Sequence, residues 1–226
     1  MTTSFDSEFR GARRFAVHAA TGLVLIAALS ACGGQASTTE TSTAENTEAA
    51  CTQVDAPLVE IPTPYAAEPL LRIPQPAGWE RSTEFDGGGI RFTLMDSDSP
   101  EPQNIATVTV GRLDESADAD SEALLDELRD DMIEGLQAQG FPTDYETTAT
   151  TVCGLPARKH SRTATPTSLG ASASPRRTVT GLSVISKQDD DVYWIQLIVG
   201  AHPDSPADTR EGETILSGFQ VLPPPA

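Results

Sequence analysis

Residues 192–199 read Val192-Tyr-Trp-Ile-Gln-Leu-Ile-Val199. Tyr193, Ile195, Leu197 and Val199 alternate with Val192, Trp194, Gln196 and Ile198, so an extended chain here is largely apolar on both faces. Such a strand belongs in the middle of a sheet, covered on two sides. Working upstream, strands are predicted at Arg177–Lys187, at Leu155–Ala164 and at Tyr145–Cys153, the last two joined near Gly154. In Asn104–Val110, Ala106, Val108 and Val110 share one face and Ile105 and two Thr the other. Trp79–Phe85 and Gly89–Met95 flank Asp86-Gly87-Gly88, the pattern of a hairpin. The six prolines between Pro57 and Pro76 exclude a long helix there and leave short extended pieces.

Two helices complete the pattern. Leu124, Leu125, Leu128, Met132 and Leu136 recur at helical spacing over 121–139, with Ser121 as candidate N-cap and Gly140-Phe-Pro142 as the stop. Ser205-Pro206-Ala-Asp208 supplies a cap, a Pro at the first helical position and an acidic first turn. That second helix should end at Gly218 and touch the sheet through Ile215, Leu216 and Phe219. Strands in hairpin order, with one helix mid-chain and one at the end, predict an α+β layered domain with a mainly antiparallel sheet.

The first 32 residues carry an address. Arg10, Arg13 and Arg14 precede the apolar run Phe15–Ala31, which ends at Cys32. Positive, then apolar, then small is the order of a secretory signal, and the 17-residue run barely reaches the length of a permanent span. Leu29-Ser-Ala-Cys32 resembles the lipobox of bacterial lipoproteins. The resemblance implies diacylglycerol on the Cys32 thiol and cleavage before it, with a membrane hold from acyl chains at about 0.8 kcal/mol per buried methylene. Residues 33–50, GGQASTTETSTAENTEAA, have Ala as their only apolar residue and cannot fold alone. As a coil they span roughly 21–25 Å. The organisation expected is a signal peptide over 1–31, a lipidated Cys and tether over 32–50, a folded domain over 51–222 and a free tail over 223–226.

Charge narrows the partners. The 226 residues carry 15 Lys and Arg against 33 Asp and Glu, and removing 1–31 leaves 12 against 31, a net −19. Such a charge argues against nucleic acid as a partner, and anionic headgroups should repel the folded part, so its hold on the membrane falls to Cys32. Cys51 and Cys153 then remain as a pair in an oxidising compartment, which favours a disulfide over two buried thiols.

Chemistry is sparse. There is no H-E-x-x-H, no G-x-S-x-G, no P-loop and no Rossmann glycine pattern, so no catalytic, cofactor or metal residues are assigned. Cys153 with His160 as a thiol and base competes with the disulfide for the same sulfur. Asp96-Ser-Asp98, the acids from Asp114 to Asp120, and Asp189-Asp-Asp191 lack a calcium-loop pattern and read as solvated turns. Likewise, His202-Pro-Asp204 reads as a loop before a helix. Trp79 and Trp194 suit a core better than a ligand pocket.

Lipobox, tether, Cys51, the segment Ile73-Pro-Gln-Pro-Ala-Gly-Trp79, the mid-chain helix and the Tyr193-Trp194 strand together resemble the LpqN-type lipoproteins of mycobacteria and their relatives. The resemblance covers about residues 51–222. It implies a PsbP-like fold with the sheet sandwiched by helices (α/β/α) and a non-enzymatic role at the outer face of the cell membrane, contacting lipids or membrane proteins of mycolate-layer assembly. A hydrolase acting on envelope esters or glycans is the competing expectation, and its residues would have to come from scattered Ser, Asp and Glu.

Overall fold

Ten strands and two helices form among the residues that the structure, a computed structural model, describes: 50–87, 89–99, 103–138, 145–164 and 177–224. They are β1 Leu58–Ile61, β2 Leu70–Pro74, β3 Trp79–Ser82, β4 Ile90–Asp96, β5 Ile105–Leu113, α1 Ser121–Ala138, β6 Glu146–Val152, β7 Leu155–Ala164, β8 Arg177–Gln188, β9 Asp191–Ala201, α2 Pro206–Gly218 and β10 Gln220–Leu222. The signal segment, Cys32, most of the tether, Gly140-Phe-Pro142 and the Ser/Ala/Pro stretch near 170 lie outside the described residues.

Strand β9, apolar on both faces, is the spine. Within a seven-stranded sheet of order β3-β4-β5-β9-β8-β7-β6, β9 pairs with β5 from Ile105↔Gly200 to Leu113↔Val192 and with β8 from Thr178↔Ala201 to Gln188↔Asp191. Every pairing between named strands is antiparallel. Tyr193, Ile195, Leu197 and Val199 are buried on one face in the main core, with Leu94, Val108 and Val184. On the opposite face Val192 and Ile185 pack with Leu124 and Leu125 of α1 and with half-buried Trp194.

The layering corrects the expected helix–sheet–helix sandwich. A second, three-stranded sheet, β1-β2-β10, shares the main core with α2 through Ile61, Leu71, Ile73, Val221, Ile215 and Phe219. The reason is width. Seven strands at about 4.8 Å spacing extend beyond what one 13-residue helix, about 10–12 Å across, can cover. On the other face α1 buries only Leu124 and Leu125, while Leu128, Met132 and Leu136 are half-buried. The protein is therefore dominated by antiparallel sheet, with two helices on opposite faces.

Local sequence explains the turns. Cys153 (φ 50°) and Gly154 (φ 82°) form the two-residue link between β6 and β7, both left-handed, as a tight hairpin requires. The β3–β4 connection is longer than the predicted two-strand hairpin: β3 stops at Ser82, Asp86 N–H bonds Thr83 O at 3.2 Å, and Arg81 clasps Asp86 with two bonds of 2.7 and 2.8 Å. Phe85 is left 40% exposed on that loop. For α1 the cap is Asp120, whose carboxylate accepts from Glu122 N at 3.0 Å, and the expected Ser121 is the first helical residue.

Candidate functional site

The groove beside α2 is the first candidate site. Ser205 caps that helix, accepting from Asp208 N at 3.3 Å, and Pro206 follows, as the sequence predicts. Burial alone would raise the Asp208 carboxyl, but bonds from Ser205 and Asn104 and the nearby His202 hold it below its usual value. At the far end Gly218 admits the chain: a Cβ there would stand 2.4 Å from Val54 and 2.7 Å from Pro74. Between those ends, two cavities of about 250 and 190 Å³ open, the first toward β6–β8 and the second toward β8 and β9, and share Glu213 and Leu216 in their walls. The Lys159–Glu213 ion pair, 3.0 Å, lies on the first, among Thr52, Thr150 and Thr151, and Thr178 and Thr180 line the second.

That lining sets the chemistry. Both volumes fall below the roughly 300–1,000 Å³ of a buried small-molecule site. In the first, threonine hydroxyls around the Lys–Glu pair suit polar groups, whereas Val199, Ala201, Pro203 and Leu216 make the wall of the second more apolar. Trp79 and Trp194 line neither cavity. Trp79 is 1% exposed in the main core, its indole N–H donating to Glu211 Oε2 at 2.9 Å.

The cations of β7 attach both helices. Successive strand residues face opposite ways, so Arg158 points to α1 and Lys159 to α2. Arg158 bonds Glu122 and, at 3.2 Å, Asp126. Its partial burial opposes ionisation, but those two carboxylates outweigh it and raise the guanidinium pKa.

Further along β7, His160 is 5% exposed and lies over Gly181, where a Cβ would be 2.2 Å from the imidazole Nε2. Tyr145 meets the ring edge-on at 6.0 Å, and Arg162 stacks over Tyr145 at 5.3 Å. Burial, reinforced by the Arg162 charge, lowers the imidazole pKa to about 4. The structure does not bring Cys153 to it. Cys153 is bonded to Cys51, 102 residues away in sequence, and His160 lies five residues, or roughly 16 Å, beyond Leu155 at the start of the strand. A sulfur held in a disulfide offers no thiolate.

Acidic clusters behave differently from their sequence reading in one case. Asp96 is 6% exposed rather than solvated: its carboxylate accepts from Asp98 N and, at 3.1 Å, from Asn104 Nδ2. Asn104 Oδ1 in turn accepts from His202 N at 3.2 Å, which ties the end of β4 to the loop before α2. Asp189 and Asp190 form the β8–β9 turn, and Asp191 pairs with Arg112 at 2.6 Å. Among the described residues, no group of three or more His, Cys, Asp and Glu is placed to hold a metal ion.

No family profile matches the chain, and no curated protein does. Among solved structures, LpqN of Mycobacterium tuberculosis, described as involved in cell envelope biogenesis, aligns with a TM-score of 0.54 at 14% identity, over 75% of this chain and 93% of its own. The chain has the LpqN fold. Cyanobacterial PsbP from Synechocystis matches at TM-score 0.46 and 12% identity, over 86% of this chain and 99% of its own. The Ran-binding protein Mog1p of Saccharomyces cerevisiae matches at 0.43 and 13%, over 75% and 97%. At the identity seen with LpqN the likeness is one of fold, and it agrees with the resemblance read from residues 51–222.

Proposed function

We propose that this protein is a lipoprotein tethered through Cys32 to the extracytoplasmic face of the cell membrane. There its domain serves cell-envelope biogenesis as a non-enzymatic binding module, contacting an envelope protein or the polar part of an envelope lipid. The observation that carries the reading is the order Arg13-Arg14, apolar run, Leu29-Ser-Ala-Cys32, followed by a tether that leads to Cys51. The LpqN fold supports it, since LpqN is described as involved in cell envelope biogenesis. The small volume of both cavities beside α2, about 250 and 190 Å³, favours surface recognition over carriage of an acyl chain.

Protease treatment of intact spheroplasts producing the full chain tests the placement, and a photo-crosslinker at exposed Thr209, on the wall of the second cavity, tests the binding surface in the same cells. The expected result is digestion without lysis and an adduct with one envelope component, lost when Glu213→Lys sets two cations where the groove's ion pair stood. Protection from protease until lysis, or adducts no different from those at exposed Glu80 on β3, would overturn the reading.

A further inference from the structure

We propose that β6 is the contact surface for a second copy of this chain, the two copies pairing antiparallel about Ala149 so that their seven-stranded sheets join into one. Among the described residues β6 is an outer strand of its sheet. It pairs with β7 in unbroken register from Glu146↔Ser161 to Val152↔Leu155, and residues 148–151 are exposed. An outer strand presents a row of unpaired N–H and C=O groups, which proteins ordinarily blunt with charge, proline, a bulge or brevity. The opposite edge, β3, is blunted in this way, being four residues long and carrying Glu80 and Arg81. Strand β6 is not. It runs Glu146-Thr-Thr-Ala-Thr-Thr-Val152, seven residues rich in β-branched side chains with a single charge at one end.

Its sequence also names the occupant. TTATT is a palindrome about Ala149, so a two-fold axis through that residue sets Thr147 against the second copy's Thr151 and Thr148 against its Thr150. Directly opposed Thr pairs are favourable across antiparallel strands, and Glu146 meets Val152 rather than another carboxylate. Charge does not oppose the approach along the strand itself, where Glu146 is the single ionisable side chain of seven.

Sedimentation equilibrium of the purified full chain in detergent tests this, with two double variants at exposed positions. Thr148→Lys/Thr150→Lys opposes Lys to Lys twice across the axis, and Thr148→Lys/Thr150→Glu opposes Lys to Glu twice. Circular dichroism and formation of the Cys51–Cys153 bond report that each variant folds. The wild type and the Lys/Glu chain are expected to be dimers, and the Lys/Lys chain to dissociate with a constant raised about tenfold or more. A wild type that stays monomeric at every concentration reached, or folded double variants that associate equally, would overturn the proposal.

Discussion

Acidification to pH 4.5 should destabilise this protein through one imidazole. His160 is 5% exposed, and its pKa is lowered from 6.5 to about 4 by burial and by the Arg162 charge. A group whose folded pKa lies below its unfolded one binds protons preferentially in the unfolded chain, so stability falls as pH drops through that interval. Above about pH 7.5 His160 is neutral in both states and contributes no pH dependence. Integrating between the two pKa values gives a loss of about 1 kcal/mol by pH 5.5 and about 2.5 kcal/mol by pH 4.5, approaching about 3 kcal/mol below pH 4. Urea unfolding at pH 7.0, 5.5 and 4.5, on wild type and His160→Gln, reads this out. The variant should be less stable at pH 7 but lose less on acidification, since Gln cannot charge. An imidazole resonance assigned to His160 that titrates near 6.5, or identical pH slopes in the two proteins, would refute the reasoning.

The disulfide, the close approach at α2 and the buried tryptophan give three further tests. Replacing both Cys51 and Cys153 by Ser removes a cross-link 102 residues long, worth up to about 4.7 kcal/mol in the chain-entropy treatment, and urea midpoints of oxidised protein and variant should differ in that direction. Gly218→Ala puts a methyl 2.4 Å from Val54 and should cost about 1–3 kcal/mol by the same assay, with no change in far-ultraviolet dichroism. Trp79→Phe breaks the 2.9 Å bond to Glu211 and leaves space in the core, so thermal unfolding should shift downward by about 2 kcal/mol or more, whereas Glu211→Gln, which keeps an acceptor, should cost less.

What was legible in the sequence was local. The alternation in Val192–Val199 placed β9 at the centre of the sheet, and Ser205-Pro206-Asp208 marked the start of α2, because pleat and cap are written within a few residues. The three-stranded sheet was not legible as a unit. Its β10 has three residues, and its partner β2 lies about 150 residues earlier among prolines, so no local periodicity announces the pairing. Asp96 illustrates the same limit: an acid at a strand end reads as solvated until Asn104 and Asp98 are seen to satisfy it. Arg158 and Lys159 did carry a usable signal, two cations pointing to opposite faces of one strand. Missing was which helix lies over which face, a matter of chain path rather than composition. The palindrome in β6 was likewise visible, and only its position at the sheet edge gave it a meaning.

Mass spectrometry of the N-terminal peptide from membranes of cells fed a tagged fatty acid tests the proposed anchor most directly. The mature chain should begin at Cys32 with tagged acyl chains on that residue, and Cys32→Ser should abolish the tag and leave the chain unprocessed or released. An unmodified Cys32 thiol, or a mature chain that begins elsewhere, would contradict it.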